Sequence, residues 1–204
     1  NYIKFLRLLK KTGPLIKFGS INRKSNGFLL RHDVDTDLKQ ALKLSILEKK
    51  ENVKSTYFLL LTSQTYNLLS KDNRQIIKQI IENGHEIGLH FDTSMYRNYN
   101  ERLKKEISIL SDICNVKIKS VSLHNPSVTN KYPIFKNLIN AYDPKIFSDQ
   151  KYISDSRMDF RGKDLKSFLQ KYNGKNLIQI LLHPMHYTTK NENYRGIAII
   201  SIRN

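Results

Sequence analysis

A chain of 204 residues with 39% hydrophobic content can bury one sizeable core, and no apolar run approaches the roughly 18 residues that a membrane-spanning helix requires. Thirty-five Lys and Arg against eighteen Asp and Glu give a net charge of +17, which favours polyanions; the charge is spread through "LKK", "EKKENVK" and "ERLKKE" rather than gathered in one block, which argues against specific nucleic-acid recognition. The single cysteine, Cys114, excludes an internal disulfide, and no Cys/His spacing fits a structural zinc.

The opening "NYIKFLRLLKKTG" reads as an N-terminal helix and lead-in over residues 1–26. It lacks the apolar centre and small-residue cleavage site of a signal peptide, so the expected location is cytoplasmic; the chain starts at Asn rather than Met, which leaves the native N-terminus open. From residue 27 to 204 short apolar runs alternate with helical periodicity. The runs "GFLLRHDV", "VKSTYFLLL", "HEIGLHF", "IKSVSLH", "NLIQILLH" and "GIAIISI" read as strands. A seventh is expected within "AYDPKIFSDQKYISD", where Pro and Asp blur the pattern.

Between the runs, Leu38, Ala41, Leu42 and Ile46 mark one helix behind a cap at Thr36 or Asp37. Ile76, Ile77, Ile80 and Ile81 mark another that ends at Gly84. "NERLKKEISILSDI" and "GKDLKSFLQKY" behave similarly. This alternation predicts a single α/β domain with a parallel sheet or barrel wrapped by helices. Functional groups in such folds gather at the C-terminal ends of the strands.

The ionisable residues sit at those ends: Asp33 and Asp35 after the first run, His90 and Asp92 after the third, His124 after the fourth and His183 after "ILLH". Two acids and several histidines on one rim make either a metal site or an acid/base site. Asp33 and Asp35 point to the same side of a strand, so their charges repel unless a cation or a proton lies between them. Arg31 shares their face and can hold one carboxylate ionised; His32 points the other way, toward packing or a supporting position behind the site. His90, an imidazole beside carboxylates, is the strongest metal-ligand candidate and suits a divalent transition metal. "HEIGLH" is HExxxH with a Gly in a strand-like run, so it is not the helical zinc-protease pair, and His85 reads as a turn residue.

In this order and spacing, "LLRHDVD", "STYFLL", "NGHEIGLH", "VSLHNP" and "ILLHP" resemble the polysaccharide deacetylases of carbohydrate esterase family 4, the NodB-homology domain, and within it the divergent branch whose first motif is RHDVD. The similarity runs over residues 27–186. It implies a distorted (β/α) barrel of about six to seven strands and a metal-dependent hydrolase that removes an N-acyl, most simply acetyl, group from an amino sugar. The implied roles are Asp33 as catalytic base, Asp35 and His90 as metal ligands and His183 as catalytic acid, with zinc as the expected ion and cobalt, nickel or iron as alternatives.

One departure stands out: Ser94 occupies the place of the second metal-binding histidine of the second motif. His124 is expected to supply that imidazole and Arg31 to replace the arginine that the third motif lacks; Asp92 is the other candidate ligand. Asp155, Ser156 and Arg161 fall where the resemblance places supporting groups, His186 with Tyr187 is a further pocket candidate, and Tyr96, Tyr132 and Phe160 are candidate sugar platforms. The expected partner is an amino-sugar glycan of a bacterial surface polysaccharide or its nucleotide- or lipid-linked precursor, with peripheral membrane contact. A catalytically inactive carbohydrate-binding protein of the same fold is the alternative.

Overall fold

The computed structural model describes residues 2–187 apart from 157, 159 and 161. The predicted run "GIAIISI" lies outside these residues, as does Arg161. Seven parallel strands form one sheet in the order β5-β4-β3-β2-β1-β7-β6: β1 (Gly27–Val34), β2 (Thr56–Leu60), β3 (Glu86–Phe91), β4 (Ser120–Leu123), β5 (Ile139–Asn140), β6 (Tyr152–Ser154) and β7 (Leu177–Leu182). The sheet curls into a half-barrel with helices around it, the distorted (β/α) barrel that the resemblance implies and one form of the helix-wrapped parallel sheet or barrel that the alternation predicts. The interior strand β1, between β2 and β7, is buried along its whole length, as a parallel strand covered on both faces must be.

The helices are α1 (Tyr2–Thr12), α2 (Leu38–Lys50), α3 (Lys71–Glu82), α4 (Tyr99–Cys114), α5 (Pro126–Thr129) and α6 (Leu165–Leu169). Asp37 caps α2 by accepting from the Gln40 amide at 2.8 Å. Its buried face is Leu38, Ala41, Leu44, Ser45 and Glu48, whereas Ile46, expected on that face, is exposed. The polar Glu48 takes a core position because it pairs across to His32 on β1, which a search for apolar periodicity does not register. The α3 expectation matches the structure: Ile77 and Ile80 are buried, Ile76 and Ile81 pack beside them, and Gly84 follows the cap at φ +94°.

Among the described residues the outer strands β5 and β6 do not pair with each other, and side chains bridge the gap instead. Gln179 on β7 donates to Ala141 O just past β5 at 2.8 Å, while its own oxygen accepts from Arg31 Nη1 at 2.9 Å. Arg31, 0% exposed, lies over the rings of Phe58 and Tyr142 at 5.5 and 4.8 Å. Gly88 on β3 makes room for this packing, since a Cβ there would sit 2.5 Å from Phe58. The expected seventh strand is β6, at the end of its predicted segment; the two-residue β5 is too short to show a period.

Candidate active site

The C-terminal ends of β1, β3, β4 and β7 open into one cleft lined by Asp33, Asp35, His90, His124, Asn125 and His183, with Tyr132, Tyr142, Phe147, Tyr152 and Ser156. Its volume of about 110 Å³ is several times the roughly 10–15 Å³ that one water needs.

Asp33 is clamped. Arg31 Nε donates to Oδ1 at 2.8 Å and Nη2 to Oδ2 at 2.7 Å, and Ser122 Oγ donates to Oδ1 at 3.3 Å. Burial alone would raise the pKa of this carboxyl, but the Arg31 guanidinium and then His90 outweigh it and hold it below the ordinary carboxylate range. The bidentate fork is the geometry that Arg supplies and Lys does not.

Asp35, His90 and His124 place ligand atoms within 4.8 Å of one another. Asp35 Oδ1 lies 3.1 Å from His90 Nε2, a separation that suits two donors each about 2 Å from one ion. Each imidazole is oriented through its other nitrogen: His90 Nδ1 lies 2.6 Å from Ser122 Oγ, and His124 Nδ1 lies 3.1 Å from Asp92 Oδ2. Burial would raise Asp35 as well, and the hydrogen bond and charge of His90 overcome it, so this carboxylate stays ionised.

Asp92 thus sits behind His124 rather than beside Asp35. Ser94, through its amide at 2.9 Å and its hydroxyl at 2.6 Å, donates to Asp92 Oδ1. The serine that stands in place of a histidine supports the carboxylate that orients another histidine. Asn125, in the left-handed region at φ 45°, brings its amide nitrogen to 3.1 Å from His124 Nε2.

His183 completes the rim, with Nε2 3.8 Å from Asp35 Oδ2 and Nδ1 2.6 Å from Asp155 Oδ1. Both Asp155 oxygens also accept from the His183 backbone amide at 3.1 Å. Burial would lower the imidazole pKa, but the Asp155 hydrogen bond and the charges of Asp35 and Asp155 raise it. His186 Nδ1 lies 3.3 Å from Asp155 Oδ2, and with Tyr187 it lines a separate pocket beside α1 and α2 that also holds Phe160. Tyr96 stacks on Phe91. Of the expected sugar platforms, only Tyr132 lines the cleft.

Four supporting residues receive no role from the sequence: Ser122 and Asn125, which flank His124 within "VSLHNP", and Tyr142 and Gln179. Two leave a trace in the sequence. Ser122 shares the strand face of His124 by the period of two, and Gln179 interrupts the apolar run "LIQILL".

The chain matches no protein-family model and no curated protein. It is similar in structure to a mutant, with restored enzymatic activity, of a carbohydrate esterase family 4 pseudoenzyme from Bacillus anthracis, at 15% identity and TM-score 0.49 over 89% of this chain and 63% of that one. It is also similar to a polysaccharide deacetylase from Bacillus cereus, at 15% identity and TM-score 0.48 over 87% and 85% of the two chains. A third similar structure is the family 4 domain of a multidomain xylanase from a termite hindgut metagenome, at 19% identity and TM-score 0.49 over 86% and 80%.

Proposed function

We propose that the chain is a metal-dependent hydrolase that removes an N-acyl group, most simply acetyl, from an amino sugar of a bacterial surface polysaccharide or of its nucleotide- or lipid-linked precursor. The observation that carries this reading is the meeting, in one cleft, of the Asp35–His90–His124 donor group, the guanidinium-clamped Asp33 and the Asp155-backed His183. Three protein donors that leave positions open to solvent suit a catalytic rather than a structural ion, and their mixed N/O character suits zinc, with cobalt, nickel or iron as alternatives.

When bound, the ion supplies a Lewis acid for the acyl carbonyl and lowers the pKa of water. Asp33, ionised and unable to turn within the Arg31 fork, accepts the proton of the attacking water. His183, whose imidazolium form the Asp155 hydrogen bond favours, donates from Nε2 to the departing amine. Asp155 fixes Nδ1 as a donor and so aims Nε2 at the cleft.

The second reading, a sugar-binding protein without activity, is favoured by Ser94 at the position where the resemblance expects a ligand. Elemental analysis of the wild type, Asp35→Ala and His124→Ala, beside acetate release from N-acetylated chito-oligosaccharides, separates the two. The deacetylase reading expects about one transition metal per chain, lost in both variants together with acetate release. A wild type that takes up no metal after supplementation with zinc, cobalt, nickel or iron, yet binds the oligosaccharide, establishes the second.

A further inference from the structure

Large apolar side chains scattered singly over a surface need no explanation, but several on one lip of a cleft do. Val128 is 82% exposed, Met95 58%, Ile134 49% and Tyr132 42%. Val128 lies on α5 and Met95 on the 3₁₀ turn Thr93–Met95, which packs against α5. Asn125, Pro126, Ser127 and Tyr132 of the same stretch form a wall of the catalytic cleft. Met95, Val128 and Tyr132 therefore stand on elements that meet at the cleft wall, and Ile134 follows two residues after Tyr132 on the same stretch.

The charge beside them has one sign. Segments 93–98 and 125–137 contain Arg97, Lys131 and Lys136, all exposed, and no Asp or Glu. Asp92, next to the first segment in sequence, is turned inward to His124 and Ser94, and Glu101 on α4 is paired with Lys105. Exposed apolar side chains on segments whose charged residues are all cationic, on a chain of net charge +17, have the chemistry that an anionic bilayer surface complements: apolar tips for the headgroup region and Lys and Arg for lipid phosphates.

We propose that this lip, Met95, Val128, Tyr132 and Ile134 with Arg97, Lys131 and Lys136, is a docking surface for an anionic lipid bilayer, and that it holds the mouth of the cleft against the membrane. The contact goes beyond the deacetylase reading and is measured without turnover. If both hold, the amino sugar is presented to the cleft on a lipid anchor.

The test is co-sedimentation of the full chain with vesicles of phosphatidylglycerol and phosphatidylethanolamine, against vesicles of phosphatidylcholine alone. Binding to the anionic vesicles is expected, weaker by about tenfold or more on the neutral ones and in Lys131→Glu/Lys136→Glu, because each basic residue near the surface adds to the attraction. Met95→Asp/Val128→Asp is expected to lose binding to a similar degree while keeping the wild-type melting temperature and acetate release from soluble oligosaccharides. Equal binding to both vesicle types, no binding, or undiminished binding by the apolar double variant overturns the proposal; the last outcome leaves only diffuse attraction of a basic protein. Failure of acetate release in the wild type with vesicle binding intact overturns the deacetylase reading alone.

Discussion

One strand carries two buried ionic clusters that differ in what they face. From β1, Arg31 and Asp33 point into the curl of the sheet, and His32 between them points outward to α2. There Glu48, fully buried, is surrounded by donors: His32 Nε2 at 2.6 Å on Oε1, together with the Tyr2 hydroxyl, and Ser55 Oγ at 2.6 Å and Tyr57 OH at 2.9 Å on Oε2. His85 closes the shell, with Nδ1 3.4 Å from Glu48 and Nε2 3.0 Å from Ser45 O. Glu48 and these partners contribute nothing to the cleft. The Asp33 side carries more charge, with two carboxylates, Arg31 and three histidines, and its outer members Asp35, His124 and His183 reach solvent along the wall of the cleft. A closed ionic cluster joins β1 to α2, while an open one holds charge ready for a ligand. The two differ in exposure as well as in composition, with one carboxylate in the first and two beside an arginine in the second.

The largest effect that distinguishes them is on stability. Glu48→Ala removes the one anion from a cavity of buried donors and should cost about 3–5 kcal/mol in a denaturant titration, while the fraction still folded keeps its metal affinity. The same cluster sets an acid limit. Burial would raise the Glu48 pKa, but His32, then His85 and then Ser55 bring it from 4.5 down to about 2. A carboxylate depressed in this way contributes stability that is complete above its unfolded pKa and is lost as pH falls toward the folded value. Roughly 3 kcal/mol should disappear between about pH 4.5 and 2, and Glu48→Gln should flatten that part of the curve. Retention of the acid transition in Glu48→Gln would assign it to Asp33 and Asp35, the open cluster.

Next in size is a change confined to catalysis. His183→Gln should lower the rate of acetate release by about 100-fold or more with little change in melting temperature, because His183 lies at the solvent edge and Asp155 keeps His186 at 3.3 Å. A loss of stability as large as that of Glu48→Ala would place His183 with the closed cluster and break the contrast.

The open cluster was largely legible in the sequence and the closed one was not, for a physical reason. A site at strand ends concentrates Asp and His just after apolar runs, so Asp33, Asp35, His90, His124 and His183 stand out, and the structure brings all five to one cleft. The closed cluster is assembled from the interior of β1, the end of α2 and the starts of β2 and β3. Glu48 looks like any exposed charge in "LEKKEN", and His85 like a turn residue. The fold followed from alternation where elements were long. It faded where they were short, at β5 and β6, and where polar residues such as Gln179 and Tyr142 replaced backbone pairing across the gap.

The smallest and sharpest comparison uses two serines, each hydrogen-bonded to both a carboxylate and an imidazole. Ser55 Oγ donates to Glu48 and lies 2.9 Å from His85 Nδ1; Ser122 Oγ donates to Asp33 and lies 2.6 Å from His90 Nδ1. Both are fully buried, so Ser→Ala removes the same atom from similar surroundings. Ser55→Ala should cost about 2 kcal/mol of stability, since the lost bond is to a buried charge, and leave metal affinity as it is. Ser122→Ala should cost less stability, because the Arg31 fork still satisfies Asp33. It should weaken metal binding by about tenfold, because His90 loses the partner that fixes its ring. A competition titration against a chelator reads the second effect and a melt reads the first. Equal stability losses with equal metal affinities would mean that the ring of His90 is held by packing alone, and that openness to the cleft does not separate the two clusters.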